Sequence, residues 1–347
     1  MLVASAGQEG RKINLVRIAH VYYTHQDLNA AHDFLIDFGF HEVKRDRKTV
    51  YYGGTGPDPF IYCAREGPEN QFGGAAFEVE SKDDLEYAAE SLPGATEIYE
   101  LTDAPGGGLC VTFRDPADGF LFHLVYGQGK KQTVTALPQL SYNLPNIKNR
   151  PANLTQRFQP CEFSDSRSLP SLDSRADRLY IAPAPVHKLG HFGMCVTNFA
   201  KTYEFYTRRF NFAPSDIVHD DAGRDITTFL HLDRGDTLVD HHCFFFFEGP
   251  EAHVHHSSYE THDFDIQNLG HDWLRKKGYK NCWGVGRHIM GSQIFDYWFD
   301  TSGFIVEHYV DGDLVNSQHP LQRSLARPGN LHVWDLLEFD IQHLKEC

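Results

Sequence analysis

No apolar run among these 347 residues approaches the ~18 needed by a membrane-crossing helix, so no membrane is expected among the partners. No basic run stands out either. The formal net charge is −15, which argues against nucleic acid or an anionic lipid surface as the main partner. The start of the chain, Met1-Leu2-Val3-Ala4-Ser5-Ala6-Gly7, has no basic region and only a very short apolar one, and does not read as a signal peptide. The seven cysteines are Cys63, Cys110, Cys161, Cys195, Cys243, Cys282 and Cys347. They contain no CxxC pair, and an odd, scattered set argues against a disulfide framework. A reducing cytoplasm is the expected setting.

What the chain does have is aromatic bulk and histidine. Apolar residues make up 41%, with 26 Phe and 16 Tyr, enough for large aromatic-rich cores. The length exceeds the ~100–200 residues of a typical single domain and predicts two. A repeat supports that division. Ile18-Ala19-His20-Val21-Tyr22 and Leu189-Gly190-His191-Phe192-Gly193 each open a segment. Seven residues after each His stands a good helix N-cap, Asp27 or Asn198, and fourteen after each stands a Phe, Phe34 or Phe205. The ends match too, since Asp115–Phe120 and Asp300–Phe304 are Asp/Gly turns that lead into apolar strands.

The second copy reads as strand 187–196, helix 198–209 and strands 213–218, 226–232 and 241–248. Strand 252–260, helix 264–277 and strands 281–288, 293–299 and 304–310 follow. That is βαβββ twice, and the first copy follows the same plan with helices near 27–37 and 82–92. The predicted class is therefore α+β, with two domains of two βαβββ modules, each a curved mixed sheet around a cavity. The expected boundaries are 1–127, 128–185, 186–312 and 313–347. The second of these holds seven of the 17 prolines and reads as an inserted linker. The last begins polar and turns amphipathic near Leu331–Leu337, as a tail packing on the second domain.

Of the 21 histidines, a few sit where metal ligands would. Leu189–Gly193, Val254-His255-His256-Ser257 and Phe304-Ile305-Val306-Glu307-His308-Tyr309 each set a metal-capable side chain among apolar neighbours. A strand pointing one ligand into a lined cavity has this pattern. Two His and one carboxylate on one face of a metal leave the other face open, as an oxygen-activating iron centre needs. A charged Glu307 beside Phe304 and Val306 is costly to bury unpaired, which favours a cation next to it. A lone His on an apolar strand is usually structural, so the weight rests on the positions together. The first copy serves as a control. His20 matches His191 and His123 matches Glu307, but Gly74 stands where the middle ligand would be. That half is expected to be structural, serving domain packing and contacts within a homo-oligomer.

These segments carry a family resemblance. LGHFGM (189–194), VHHSSYE (254–260), GRHIMGSQIFDYWFD (286–300) and GFIVEHY (303–309) resemble the type I extradiol ring-cleaving dioxygenases of the vicinal oxygen chelate superfamily. The resemblance implies that fold, with the metal in the second domain only and the later His of the pair, His256, as ligand beside His191 and Glu307. It implies Fe(II), with Mn(II) suited to the same ligands. It further implies catalytic roles for His288 and Tyr297, which precede Glu307 at spacings of nine and ten residues. A third such role falls to a His before the second ligand, for which His242 is the better match than His241. On a strand the two would face opposite ways.

The implied reaction is extradiol cleavage of a catechol-type substrate by O2, with both oxygen atoms entering a muconic semialdehyde-type product. Gly193, Thr228, Met290 and Phe304 are expected near the substrate, with Gly193 leaving room beside the ring. The competing readings are a 4-hydroxyphenylpyruvate dioxygenase-like enzyme, a glyoxalase-type metal isomerase and a non-catalytic binding member of the same fold.

Overall fold

The computed structural model describes residues 10–131 and 182–335. The linker reading of 128–185 therefore falls mostly outside the described residues. The first half contains β1 (Leu15–His25), α1 (Leu28–Phe38), β2 (His41–Asp46), β3 (Thr49–Gly53) and β4 (Tyr62–Glu66). It continues with β5 (Gln71–Val79), α2 (Lys82–Ser91), β6 (Tyr99–Glu100), β7 (Leu109–Arg114) and β8 (Leu121–Tyr126).

The second half opens with β9 (Val186–Val196), α3 (Phe199–Arg209), β10 (Phe212–His219), β11 (Asp225–Leu232), β12 (Val239–Asp240) and β13 (Phe244–Glu248). After these come β14 (His253–Thr261), α4 (Phe264–Lys277), β15 (Asn281–His288), β16 (Ile294–Phe299) and β17 (Ile305–Val310). Three short strands close it, β18 (Leu314–Val315), β19 (Gln322–Leu325) and β20 (His332–Asp335).

Each half is built on one mixed sheet. The first sheet runs β2-β3-β4-β1-β5-β8-β7-β6, and the second runs β19-β10-β11-β13-β9-β14-β17-β16-β15-β20. At each centre two module-opening strands pair antiparallel, β1 with β5 and β9 with β14. Each opening strand also pairs parallel with the last strand of its own module, for example β9 with β13 and β14 with β17. This is the vicinal oxygen chelate arrangement of two βαβββ modules per sheet. Segments after residue 312 extend it, with β19 beside β10 and β20 beside β15.

Local chemistry sets the helix limits. Asp27 accepts hydrogen bonds from the amides of Asn29 and Ala30, and Asn198 from that of Lys201. These side chains satisfy donors that the first helical turn leaves open. Gly39 ends α1 at φ 117°, and a Cβ there would overlap the Ala184 carbonyl at the entry to the second half. Only glycine meets both demands.

The two halves share one aromatic core rather than holding one each. Phe38, Phe77 and Phe122 of the first half pack in a single cluster with Phe192, Tyr206, Phe244 and Tyr259 of the second. Polar groups lock the seam. Asp37 accepts from Trp273 Nε1 at 3.0 Å and Tyr279 Oη at 2.9 Å, and His308 Nε2 donates to the Phe38 carbonyl at 2.7 Å. Among the described residues Cys63, Cys110, Cys195, Cys243 and Cys282 form no disulfide. No described helix is long and apolar enough to cross a membrane.

Candidate metal centre

His191, His256 and Glu307 come from the adjacent strands β9, β14 and β17. Ser258 pairs with His191 on one side and Glu307 on the other. Directly opposed residues share a face, as do positions two apart on a strand, so His256 joins them on that face. Ser258 is small, which leaves room for the larger side chains to converge.

The three contact atoms form a near-equilateral triangle. His191 Nε2 lies 3.1 Å from His256 Nε2 and 3.1 Å from Glu307 Oε2, and the third edge is 3.2 Å. All three residues are buried, at 2%, 3% and 0% exposure. Neither carboxylate oxygen of Glu307 makes a well-directed hydrogen bond despite these distances. The two edges to the carboxylate are thus close approaches, while the His191–His256 edge has hydrogen-bond geometry. Ligands about 2.1 Å from a metal and at right angles across it are separated by about 3.0 Å. The triangle fits three neighbouring corners of a six-coordinate ion, so the donor set and its spacing suit a divalent transition metal. Burial alone would raise the Glu307 carboxyl, but the two imidazoles outweigh it and hold the group well below the usual carboxylate range. Burial pushes the His256 imidazole down, with Glu307 opposing.

The first half shows the same scaffold without the set. β1 aligns with β9, β5 with β14 and β8 with β17, so His20, Gly74 and His123 occupy the three positions. Gly74 adopts φ 108°, and a Cβ there would lie 2.9 Å from His123 Nε2. His123 is spent on the Gly73 carbonyl and on Thr112, while His20 is paired with Tyr22.

Two further groups flank the triangle from different ligands. The His242 ring lies 4.3 Å from that of His191, and the Tyr297 ring 5.0 Å from that of His256. His288 Nδ1 donates to the Leu331 carbonyl at 2.9 Å, which leaves Nε2 free to accept from Tyr297 Oη at 2.8 Å. Burial holds His288 neutral, at about 4. Burial and then the charge of Glu307 raise the Tyr297 phenol well above its ordinary value. Burial also lowers His242, with His191 and His241 adding to the effect.

Some expectations need correction. His241 and His242 do not lie on a strand, because β13 starts only at Phe244 and both precede it in an irregular bend. Strand alternation therefore does not sort them, and both are buried, His241 against Asp216 and His242 against His191. Gly193 leaves no room for a substrate ring, since the Phe245 ring fills the position a Cβ would take. Thr228 is fully buried, its hydroxyl bonded to the Asp216 carbonyl, and Phe304 packs on Tyr23 and His25 at the seam.

Sequence reasoning set His255 aside in favour of His256 and did not foresee its contact with that ligand. The β14–β9 register slips between Val254 and His256, a bulge that lets consecutive side chains approach each other. His255 Nδ1 lies 2.7 Å from His256 Nδ1. The doubled histidine was the only signal for it.

A family model described as Glyoxalase/Bleomycin resistance protein/Dioxygenase superfamily matches residues 188–308. Metapyrocatechase 2 of Cupriavidus necator is 27% identical over 128 residues, a match covering 37% of this chain and only 38% of that protein. The Mn(II)-bound glyoxalase from Novosphingobium aromaticivorans superimposes with a TM-score of 0.72 at 22% identity, over 95% of this chain and 93% of that one. Homoprotocatechuate 2,3-dioxygenase from Brevibacterium fuscum, in its anaerobic complex with 3,4-dihydroxyphenylacetate, gives 0.72 at 15% identity over 92% and 88%. The Arthrobacter globiformis homoprotocatechuate 2,3-dioxygenase gives 0.71 at 16% identity over 95% and 92%. At such identities these structures establish likeness of fold. The segment that the superfamily model matches, 188–308, holds all three converging residues, and it is set in a chain with the vicinal oxygen chelate fold.

Proposed function

We propose that this chain is an extradiol dioxygenase that cleaves a catechol-type ring with O2 to a muconic semialdehyde-type product. In this reading residues 186–312 carry the chemistry and 1–127 are a degenerate copy that supports them. The observation that carries the proposal is the buried His191–His256–Glu307 triangle with His242 against one ligand and the His288–Tyr297 pair against another. That flanking set offers separate groups for orienting a ring and for handling protons at its oxygen atoms, which is why we favour ring cleavage over isomerisation. The ligand of the Brevibacterium structure, 3,4-dihydroxyphenylacetate, is itself a catechol.

His191, His256 and Glu307 would hold the ion, which we take to be Fe(II), with Mn(II) suited to the same donors. Bound there, it supplies the acidity that ionises a catechol oxygen and the electron path between ring and dioxygen. The protein's groups then have distinct tasks. Tyr297 donates its hydroxyl hydrogen bond to His288, so its oxygen lone pairs are free to accept from a substrate hydroxyl and orient the ring. His242 holds and returns a proton beside the reacting oxygen atoms. The shared aromatic core keeps bulk water from the back of the site.

The test is anaerobic loading with Fe(II), then oxygen-electrode assays with mono- and bicyclic catechols. Oxygen uptake with a yellow ring-fission product is expected for at least one of them. Turnover of a catechol-free substrate such as a 2-oxo acid, with no catechol accepted, would replace this reading with the 4-hydroxyphenylpyruvate dioxygenase-like one.

A further inference from the structure

We propose that Asp216 and His241 form a positioning pair behind His242, fixing it in the tautomer whose Nε2 is unprotonated. The geometry is independent of the function proposed above, and its catalytic consequence rests on that reading.

Asp216 lies on β10 and is buried, as is His241. The Asp216 Oδ2 is 2.9 Å from His241 Nε2, and His241 Nδ1 is 3.2 Å from His242 Nδ1. A carboxylate can only accept, so His241 carries hydrogen on Nε2. Neutral His241 then has a bare Nδ1 that must accept, and His242 must donate from its own Nδ1. The proton left to a neutral His242 is thereby committed, and Nε2 keeps a lone pair. His242 Nε2 makes no hydrogen bond among the described residues. Without such a partner on Nδ1, an imidazole would be free to carry its hydrogen on Nε2.

The chain around the pair is fixed on several sides. Ser215 Oγ donates to the His241 carbonyl at 2.6 Å and accepts from His231 Nδ1 at 2.7 Å. The His241 amide donates to the Asp313 carbonyl at 3.0 Å. Gly291, at φ 76°, brings its backbone so close that a Cβ would lie 2.9 Å from His241 Nδ1. That approach leaves little space for water to compete for the imidazole–imidazole bond. A carboxylate that accepts from one ring nitrogen fixes which nitrogen of that imidazole is bare, as it does for histidines that ligate metals, and here the effect is handed on by one further imidazole.

The arrangement also gives a proton a route. When His242 Nε2 takes a proton from a substrate hydroxyl, its Nδ1 hydrogen passes to His241 Nδ1. His242 remains neutral, and the positive charge comes to rest on His241 beside Asp216, away from His191. Only O–H and N–H bonds change, and no electrons are transferred.

The test reads the tautomer directly, by long-range nitrogen–proton NMR of the imidazoles in the metal-free full-length protein. His242 resonances are assigned by their loss in His242→Gln. Wild type is expected to show His242 protonated at Nδ1 and bare at Nε2, and His241→Phe is expected to move the hydrogen to Nε2. If His241→Phe does not fold, Asp216→Leu, which frees His241 from its carboxylate, carries the same expectation. A wild-type His242 protonated at Nε2, or a tautomer unmoved by either variant, overturns the proposal. With iron loaded, Asp216→Asn is expected to lower kcat at least tenfold at unchanged metal content and unchanged catechol Kd, and full kcat would contradict the relay. If the wild type consumes no oxygen with any catechol, the dioxygenase reading fails while the NMR result still decides the tautomer.

Discussion

Tyr297 stands directly opposite Glu307 in the β16–β17 ladder, and its hydroxyl meets His288 Nε2 at 2.8 Å. The spacing of His288, Tyr297 and Glu307 in the sequence is the consequence of two antiparallel turns. β15 ends on His288, β16 returns Tyr297 to it, and β17 brings Glu307 alongside. Removing the hydroxyl while keeping the ring isolates its role. Tyr297→Phe is expected to retain full metal content by elemental analysis and to lose about 10- to 100-fold in kcat. Normal oxygen uptake would remove Tyr297 from the scheme.

His242 makes a parallel case on the other flank. His242→Ala is expected to bind metal and catechol as wild type does but turn over about 10- to 1000-fold more slowly. Anaerobic substrate titration beside single-turnover kinetics separates the two effects. A weakened metal affinity instead would mean that His242 belongs among the ligands.

Glu307→Ala removes the only negative charge of the triangle. The two remaining imidazoles are expected to hold Fe(II) or Mn(II) at least 10- to 100-fold more weakly, and activity falls with occupancy. Full retention of metal after gel filtration would show that the ligand set has been misassigned.

The strands were legible as short, largely apolar runs, several of them set off by Gly- and Asp-rich turns. His191 and Glu307 stood out because each is a costly group beside apolar neighbours within a strand, and His256 was picked from its pair by the family resemblance. The aligned copies, with Gly74 at the His256 position, restricted attention to the second half. Other features depend on tertiary geometry that periodicity does not report. The bulge at His255 and the bend at His241–His242 break the strand period locally, and nothing in the residue types marks where. Gly193 looked like space, but Phe245 from the neighbouring strand fills it. The common core was hidden because a buried face does not reveal which surface covers it.

Asp37 ties the halves together through Trp273, Tyr279 and Lys277, the last at 3.0 Å. Asp37→Ala leaves two of these donors part-buried without their acceptor and is expected to cost about 2–3 kcal/mol. Denaturant unfolding measures it, and a change under about 0.5 kcal/mol would show that the seam is held by the aromatic core alone.

Stability should also fall in mild acid. Burial lowers both His25 and His123 to about 4 from an ordinary 6.5. The unfolded chain takes up protons below pH 6.5 that the folded one refuses until about pH 4. The stability each contributes is therefore complete above pH 6.5 and is lost as pH falls toward 4, on the order of 1–2 kcal/mol per group by pH 5. Asp300, raised by burial to about 7, acts in the opposite sense, since its folded form holds a proton that the unfolded form releases above about pH 4. Tm measured from pH 7 to pH 4.5 is expected to fall, and less steeply in His123→Gln. Equal slopes in the two proteins would remove His123 from the account.

In the proposed reaction the buried triangle joins a catechol to both atoms of dioxygen. Reaction of the Fe(II)-loaded protein with a catechol under 18O2, followed by mass spectrometry of the product, addresses it most directly. The expected product is ring-opened and carries two labelled atoms, corrected for exchange of the aldehyde oxygen with water. A product with one label or none after that correction, or metal-dependent isomerisation without oxygen uptake, would contradict that reaction.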